Sequence, residues 1–365
     1  MARRFDTVPD DVLYQVCTMT LREGRTVGAV TEWLKKNGYP SAKREWPRQM
    51  LVTAYAKGLL VLPGREHYEL GLKIGANTNT VCRVAMVDDG EDAALDMVAK
   101  LAAEQALKLI RLVQETRKEG SVTGEKDGEE DTDKVHIGFS AGGTSHAFAY
   151  HLARMLEGQH NLPMLVLHSL TSGFFMDDPS AAPVVSLQQF SRIEPKPEYV
   201  VLFSSPVVAR NEVENLRSQP FTKEAFDAAR KIDIIVTSVA VADHEHNLFR
   251  YAIGQKDPEN SESRLDRLRK LGWAGDIMWR PYSAAGEQLD CDIEPVSVVG
   301  FQDLVDRSSN KTSYVICIGG PCATCKETKK DALLPLLRCP AGRRPFSHLI
   351  TTASTAKALC DELGW

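Results

Sequence analysis

The 365 residues contain no uninterrupted apolar run of about 18, so no membrane-spanning helix is expected. The opening stretch MARRFDTVPDDV lacks the apolar segment of a secretory signal. No internal repeat is present, which sets aside solenoids and propellers. The eight cysteines are scattered instead of spaced as a disulfide framework, which points to a reduced, cytoplasmic setting. A net charge of −5 supplies no overall basic field for a nucleic acid, although a small basic module can be outweighed by a larger acidic one. What is present is ordinary globular composition, 43% apolar and 25% charged, at a length that suits two domains, one of them large.

The first ~65 residues have a helical period. Val12, Leu13, Val16, Cys17 and Leu21 mark a helix opened by Asp10 and Asp11 and ended by Gly24. Thr26 to Lys36 gives a second, with Val27, Val30 and Leu34 inward. Ser41 is placed to cap a third, carrying Met50, Leu51, Ala54 and Tyr55; Pro47 is tolerable only in a first turn, which moves its start to near Glu45. LLVLPGREHYEL then reads as a hairpin turning at Pro63-Gly64. Three helices and a β-ribbon are the layout of a winged helix-turn-helix. Over residues 1–62 ten Lys or Arg face six acids, so this part carries +4 and the remainder −9. Ser41, Lys43, Arg44, Arg48 and Gln49 form the expected DNA-binding face at the third helix.

Beyond it, KVHIGF, PMLVLHSL, EYVVLF, DIIVTSVAV, SYVICIG and SHLITT read as buried strands alternating with helical segments such as 147–156 and 222–230. This is the pattern of a doubly wound, mostly parallel α/β sheet. Segment 115–134 has eight acidic residues, four basic ones, three glycines and one apolar side chain, and reads as a mobile loop.

KVHIGFSAGGTSH, at 134–146, admits two readings. GFSAG matches the G-x-S-x-G elbow with Ser140 as nucleophile, which requires an acid and a histidine downstream; His348 with Asp276 or Asp292 are the nominees. No HGGG-type oxyanion run precedes it. Gly142, Gly143, Thr144 and Ser145 instead make a glycine and hydroxyl loop at a helix start, suited to an anion. Cys317, Cys322 and Cys325 give C-x4-C-x2-C, with Cys339 further on, a spacing found in zinc and iron–sulfur proteins; inert thiols are the expectation, with no metal or cofactor assigned. Asp243-His244-Glu245-His246 is a second metal-like cluster, read as a polar loop, and Trp273 and Trp279 are read as packing residues.

Six stretches in order, namely IGFSAGGTS, FSSPVVARNEVENLRSQP, RKIDIIVTSVA, GDIMWRPYSAAG, CIGGPCATCKETKKDALLPLL and HLITTASTAKAL, resemble the SorC family of sugar-responsive bacterial transcription regulators, as does the amino-terminal module. The resemblance implies an effector domain with the fold of ribose-5-phosphate isomerase and glucosamine-6-phosphate deaminase. It implies that Gly142 to Ser145 hold a phosphate, that Asp276 holds a hydroxyl, and that the family lysine is Lys329, with Lys326 the competitor. The chain departs from the family pattern at Ser238-Val239-Ala240, at Ser283 and at Thr351-Thr352-Ala353. The reading is therefore a cytoplasmic regulator, residues 1–68 binding operator DNA and 69–365 binding a sugar or sugar phosphate, with no reaction assigned. Operator dyads imply a homodimer or homotetramer. The alternatives are an isomerase or deaminase of the same fold and, third, the esterase.

Overall fold

The structure, a computed structural model, describes residues 5, 8–57, 59, 65–122, 133–173, 178–310 and 313–365. The chain divides into two compact units, Met1–Gly64 and Arg65–Trp365.

In the first unit α1 (Asp10–Cys17) runs into a π-turn over Thr18–Arg22, followed by α2 (Val27–Lys36) and α3 (Trp46–Ala56). Asp10 and Asp11 sit in the first turn of α1, where acids favour the helix dipole. The Thr26 hydroxyl caps α2 by accepting the Ala29 N–H at 3.3 Å. Leu13, Val16, Val30, Leu34, Met50 and Ala54 close a core of their own, and Phe5 packs edge-on against Trp46. Pro47 falls in the first turn of α3, as its missing N–H requires. Ser41 is therefore no cap of α3. It lies in the preceding turn, and the Trp46 N–H bonds the Lys43 carbonyl instead.

The expected hairpin is corrected in its second arm. Pro63-Gly64 and Leu60–Leu62 lie outside the described residues, but REHYEL opens α4 (Arg65–Thr78). That helix also moves the division between units from after residue 68 to after residue 64.

The second unit holds a sheet of β1 (Val81–Ala85), β2 (Lys134–Phe139), β3 (Met164–Ser169), β4 (Glu198–Val200), β6 (Ile234–Val241), β10 (Tyr314–Gly319) and β11 (His348–Thr352). Their order is β1-β11-β10-β6-β2-β3-β4, with every neighbour parallel. The hairpin β7 (Trp273–Ile277) and β8 (Arg280–Ser283) joins β6 antiparallel, and β5 (Val207–Ala209) pairs β9 (Ile293–Pro295) separately. All six strands expected from the apolar runs form.

Alternation along the strands explains the layers. Ile234, Val236, Ile316 and Ile318 pack under α5 (Ala94–Val122) and α6 (Gly143–Leu156). Ile235, Val315 and Cys317 point to the other face, under α12 (Phe301–Ser309), α13 (Lys330–Arg338) and α14 (Ala353–Leu363). Shorter helices α7 (Pro183–Leu187), α8 (Val213–Ser218), α9 (Pro220–Ala228), α10 (Leu248–Lys256) and α11 (Ser261–Lys270) fill the remaining connections.

The acidic segment is also corrected in part. Residues 115–122 are the end of α5, while 123–132 lie outside the described residues. Arg117 anchors that end, donating to the Asp233 carboxylate at 2.6 Å and to the Lys134 carbonyl. No helix among the described residues is long and apolar enough to cross a membrane.

Candidate ligand cleft

From β2 the chain winds outward to β3 and β4; from β6 it winds the other way, to β10, β11 and, in space, β1. The β2/β6 boundary is thus a topological switch point, where open parallel sheets leave a crevice beyond the carboxyl ends of their strands. A cleft of about 890 Å³, its open mouth included, lies there. The loops after β2, β6 and β10 and the β7–β8 hairpin line it.

The loop after β2 supplies Gly142, Gly143 and Thr144. Gly142 has φ +110°, a conformation that favours glycine, and its N–H bonds the Ala181 carbonyl at 2.8 Å. No side chain caps α6, so the N–H groups of its first turn and the positive end of its dipole are available to an anion. Gly143 is required for a different reason than anion approach. A Cβ there would lie 2.7 Å from the Ala323 Cβ, so the glycine lets the loop after β10 close over α6.

That loop carries Lys329. Its ammonium donates to Ser238 Oγ at 2.8 Å and Thr144 Oγ1 at 3.2 Å, and burial lowers its pKa from the ordinary lysine value. Ser238 holds the lysine together with Thr144; its own hydroxyl also donates to the Ile318 carbonyl at 2.9 Å. Lys326 is not in the cleft. It adopts φ +66° and pairs with Asp92 at 3.3 Å.

Asp276 projects from β7 opposite Ala240 of β6 and is 4% exposed. Burial pushes its carboxyl up to about 7, opposed by the Asn247 amide at 2.7 Å, by the Lys329 charge and by the Trp279 N–H. Met278 and Trp279 form the hairpin turn with φ of +50° and +66°, a conformation unusual for bulky side chains. Both are buried and line the cleft, and Trp279 packs in the cluster of Phe249 and Trp273, as its reading as a packing residue expects. Asn247 caps α10 through its carbonyl oxygen and donates to the Val241 carbonyl, which fixes its amide on Asp276. Asn247 and Ser238 were missed in the sequence; an N-cap asparagine just past a strand end was the available signal.

The cleft therefore gathers Gly142, Gly143, Thr144, Asp276 and Lys329 but not Ser145. Ser145 is 1% exposed, and its hydroxyl pairs with Ser140 Oγ at 2.9 Å. The esterase constellation does not assemble. His348 opens β11 and bonds Ser347 just before it, Asp292 pairs with Arg267 and Arg264, and no histidine is hydrogen-bonded to Ser140 among the described residues. Asp243 is held by Arg269, which keeps its carboxyl below the usual range. Cys317 is buried in β10, and Cys339 packs against the carbonyls of Ala285 and Gly286.

In the first unit, Ser41, Lys43, Arg44, Arg48 and Gln49 are all exposed around the start of α3. Among the described residues no acid pairs with Lys43, Arg44 or Arg48. Residues 37–45 connect α2 to α3, longer than the three or four residues of a tight helix-turn-helix turn.

No protein-family model matches this sequence, and neither does any curated protein. Solved structures do. The full-length sorbitol operon regulator SorC of Klebsiella pneumoniae aligns over 96% of this chain and 98% of its own, at TM-score 0.58 and 14% identity. The chain shares the fold of that regulator. A probable sor operon regulator from Shigella flexneri aligns over 81% of this chain and 99% of its own, at TM-score 0.58 and 16% identity. A DeoR family transcriptional regulator from Listeria monocytogenes covers 80% and 99%, at TM-score 0.58 and 19% identity. The match to the full-length regulator extends over both units; the architecture is a helical amino-terminal unit followed by a doubly wound α/β domain.

Proposed function

We propose that this chain is a DNA-binding transcription regulator whose operator affinity is set by a sugar or sugar phosphate bound in the cleft. The carrying observation is the cleft itself: an uncapped helix start and a lysine beside a buried carboxyl–amide pair, at the switch point of the sheet. The phosphate of the ligand meets the N–H groups of Gly143 and Thr144 and the Lys329 ammonium; a hydroxyl meets Asp276 and Asn247. The exposed basic residues Lys43, Arg44 and Arg48, with Ser41 and Gln49, supply the operator face. The regulator works in the cytoplasm as a homodimer or homotetramer, and no reaction is assigned to it.

One observation favours a second reading, a sugar-phosphate isomerase or deaminase: a carboxyl titrating near neutrality beside a lysine is also what proton transfer uses. A thermal-shift screen of free and phosphorylated sugars, followed by operator binding with and without the best ligand, separates the two. A regulator gives ligand-dependent operator affinity with the ligand recovered unchanged. Conversion of the ligand with no effect on DNA would establish the enzyme.

A further inference from the structure

Neither cysteine–histidine cluster seen along the sequence forms as such, but one half of each meets the other. His244 comes from the loop after β6, and Cys322 and Cys325 from the loop after β10. One ligand atom from each of the three residues lies within 4.8 Å of the other two. His244 Nε2 is 3.2 Å from Cys325 Sγ. A tetrahedral zinc at its usual bond lengths sets N···S at about 3.5 Å and S···S at about 3.8 Å. The His244–Cys325 pair is already close to that separation, and the 4.8 Å bound leaves the remaining pairs an approach of roughly 1 Å at most.

The backbone holds the two cysteines in one closed turn. The Cys322 carbonyl accepts the Lys326 N–H at 3.1 Å, the Cys322 N–H donates to the Glu327 carbonyl at 2.8 Å, and Lys326 takes the left-handed conformation that closes the turn.

We propose that His244 Nε2, Cys322 Sγ and Cys325 Sγ bind one Zn2+ ion, with its fourth position turned to the cleft. Two thiolates and an imidazole are a soft donor set that selects zinc over the hard cations. His244, Cys322 and Glu327 line the cleft. Glu327 Oε2 lies 3.0 Å from His244 Nε2 on a largely exposed side chain. It takes the fourth position until an oxygen of a cleft ligand replaces it. Coordination through Nε2 puts the ring proton on Nδ1, so the 3.2 Å contact of Nδ1 with the His246 N–H opens on binding. The ion bridges the loops after β6 and β10, and so braces the loop that carries Lys329. The site stands on its own geometry and does not depend on the regulator reading.

The test uses the full-length chain, reduced and stripped with a chelator, titrated with Co2+ and then Zn2+. The expected result is one Co2+ per chain, with thiolate-to-cobalt charge transfer in the near ultraviolet and tetrahedral bands in the visible, both bleached by one equivalent of Zn2+. Cys325→Ser and His244→Ala should each weaken binding beyond the ~10–100-fold that loss of an orienting partner costs. Cys291→Ser should leave the titration unchanged. Zn2+ should also protect Cys322 and Cys325 of the wild-type chain from alkylation, read by mass spectrometry, which needs no variant to fold. Absence of the charge-transfer band, equal alkylation with and without Zn2+, or a Cys322–Cys325 disulfide that forms in air despite Zn2+ would each overturn the site.

Discussion

Gly143→Ala adds a single methyl at the tightest approach in the cleft. Its carbon would lie 2.7 Å from the Ala323 Cβ, where carbon atoms rest at about 3.5–4.0 Å. The loop after β10 must then retreat by roughly 0.8 Å or more, which in a packed contact costs about 1–3 kcal/mol. Alanine at the start of α6 returns up to about 1 kcal/mol in helix propensity. The net loss of stability is therefore small, on the order of 1 kcal/mol. Ligand affinity should suffer more, because the same loop carries Lys329 to Thr144 and Ser238. Ala323→Gly removes the atom that is struck, so the double variant should recover both. The measurement is a double-mutant cycle, read once by denaturant melts and once by calorimetry with the phosphorylated sugar that most raises the wild-type melting temperature. A coupling of about 1 kcal/mol or more is expected in each. If the double variant binds as weakly as Gly143→Ala alone, the methyl acts on the ligand and the loop argument fails.

Lys329→Met should weaken a phosphorylated sugar by about 10–150-fold, the equivalent of ~1.5–3 kcal/mol for a charge-assisted bond, while changing its unphosphorylated counterpart little; equal losses by calorimetry would remove the lysine from the phosphate end. Asp276 has a folded-state pKa raised to about 7, so its contribution is fully present below the unfolded pKa near 4 and is lost as pH rises to 7. Asp276→Asn should therefore flatten the fall in stability between about pH 4 and 7, by at most ~1.4 kcal/mol per pH unit; urea melts showing wild type and variant in parallel would sink the assignment. Arg44→Ala with Arg48→Ala should weaken operator binding and lower its log–log salt slope by ~2, with helical circular dichroism unchanged; an unaltered slope would remove this face from the DNA interface.

The strands and first three helices were legible because their burial follows a clean period. Ile234, Val236 and Ile235 alternate between two layers, and Leu13, Val16, Val30 and Leu34 recur at helical spacing. The helix at 65–78 was read in part as a strand for a physical reason. The face it turns to β1 includes Gly71, where a Cβ would come within 2.9 Å of the Cys82 carbonyl oxygen, and beside it Gly75 approaches the Thr80 carbonyl oxygen equally closely. Contact by absent side chains leaves no hydrophobic period, and Tyr68, Leu70 and Leu72 then mimic alternation. The end of α5 was missed because its order comes from Arg117 reaching Asp233, a partner more than a hundred residues away. Within the cleft, glycines, Asp276 and Lys329 were readable from motif and order. The partners Ser238 and Asn247 were not, since each matters only through the residue it holds.

Those partners bear on what the cleft accepts. Where the pattern this chain resembles carries carboxylates it has Ser283, Thr352 and Ala353, none of which lines the cleft, and Asp276 is the deeply buried carboxyl of the lining among the described residues. Near neutrality it is divided between a form that accepts a hydrogen bond and one that donates, with Asn247 holding one oxygen. Beside it Lys329 and the start of α6 bring N–H donors and positive potential. On the proposed reading, a ligand that satisfies these groups brings an anionic group to Lys329 and the start of α6 and a neutral hydroxyl to Asp276. A sugar monophosphate would meet that condition, whereas a dicarboxylate would set a second charge against Asp276.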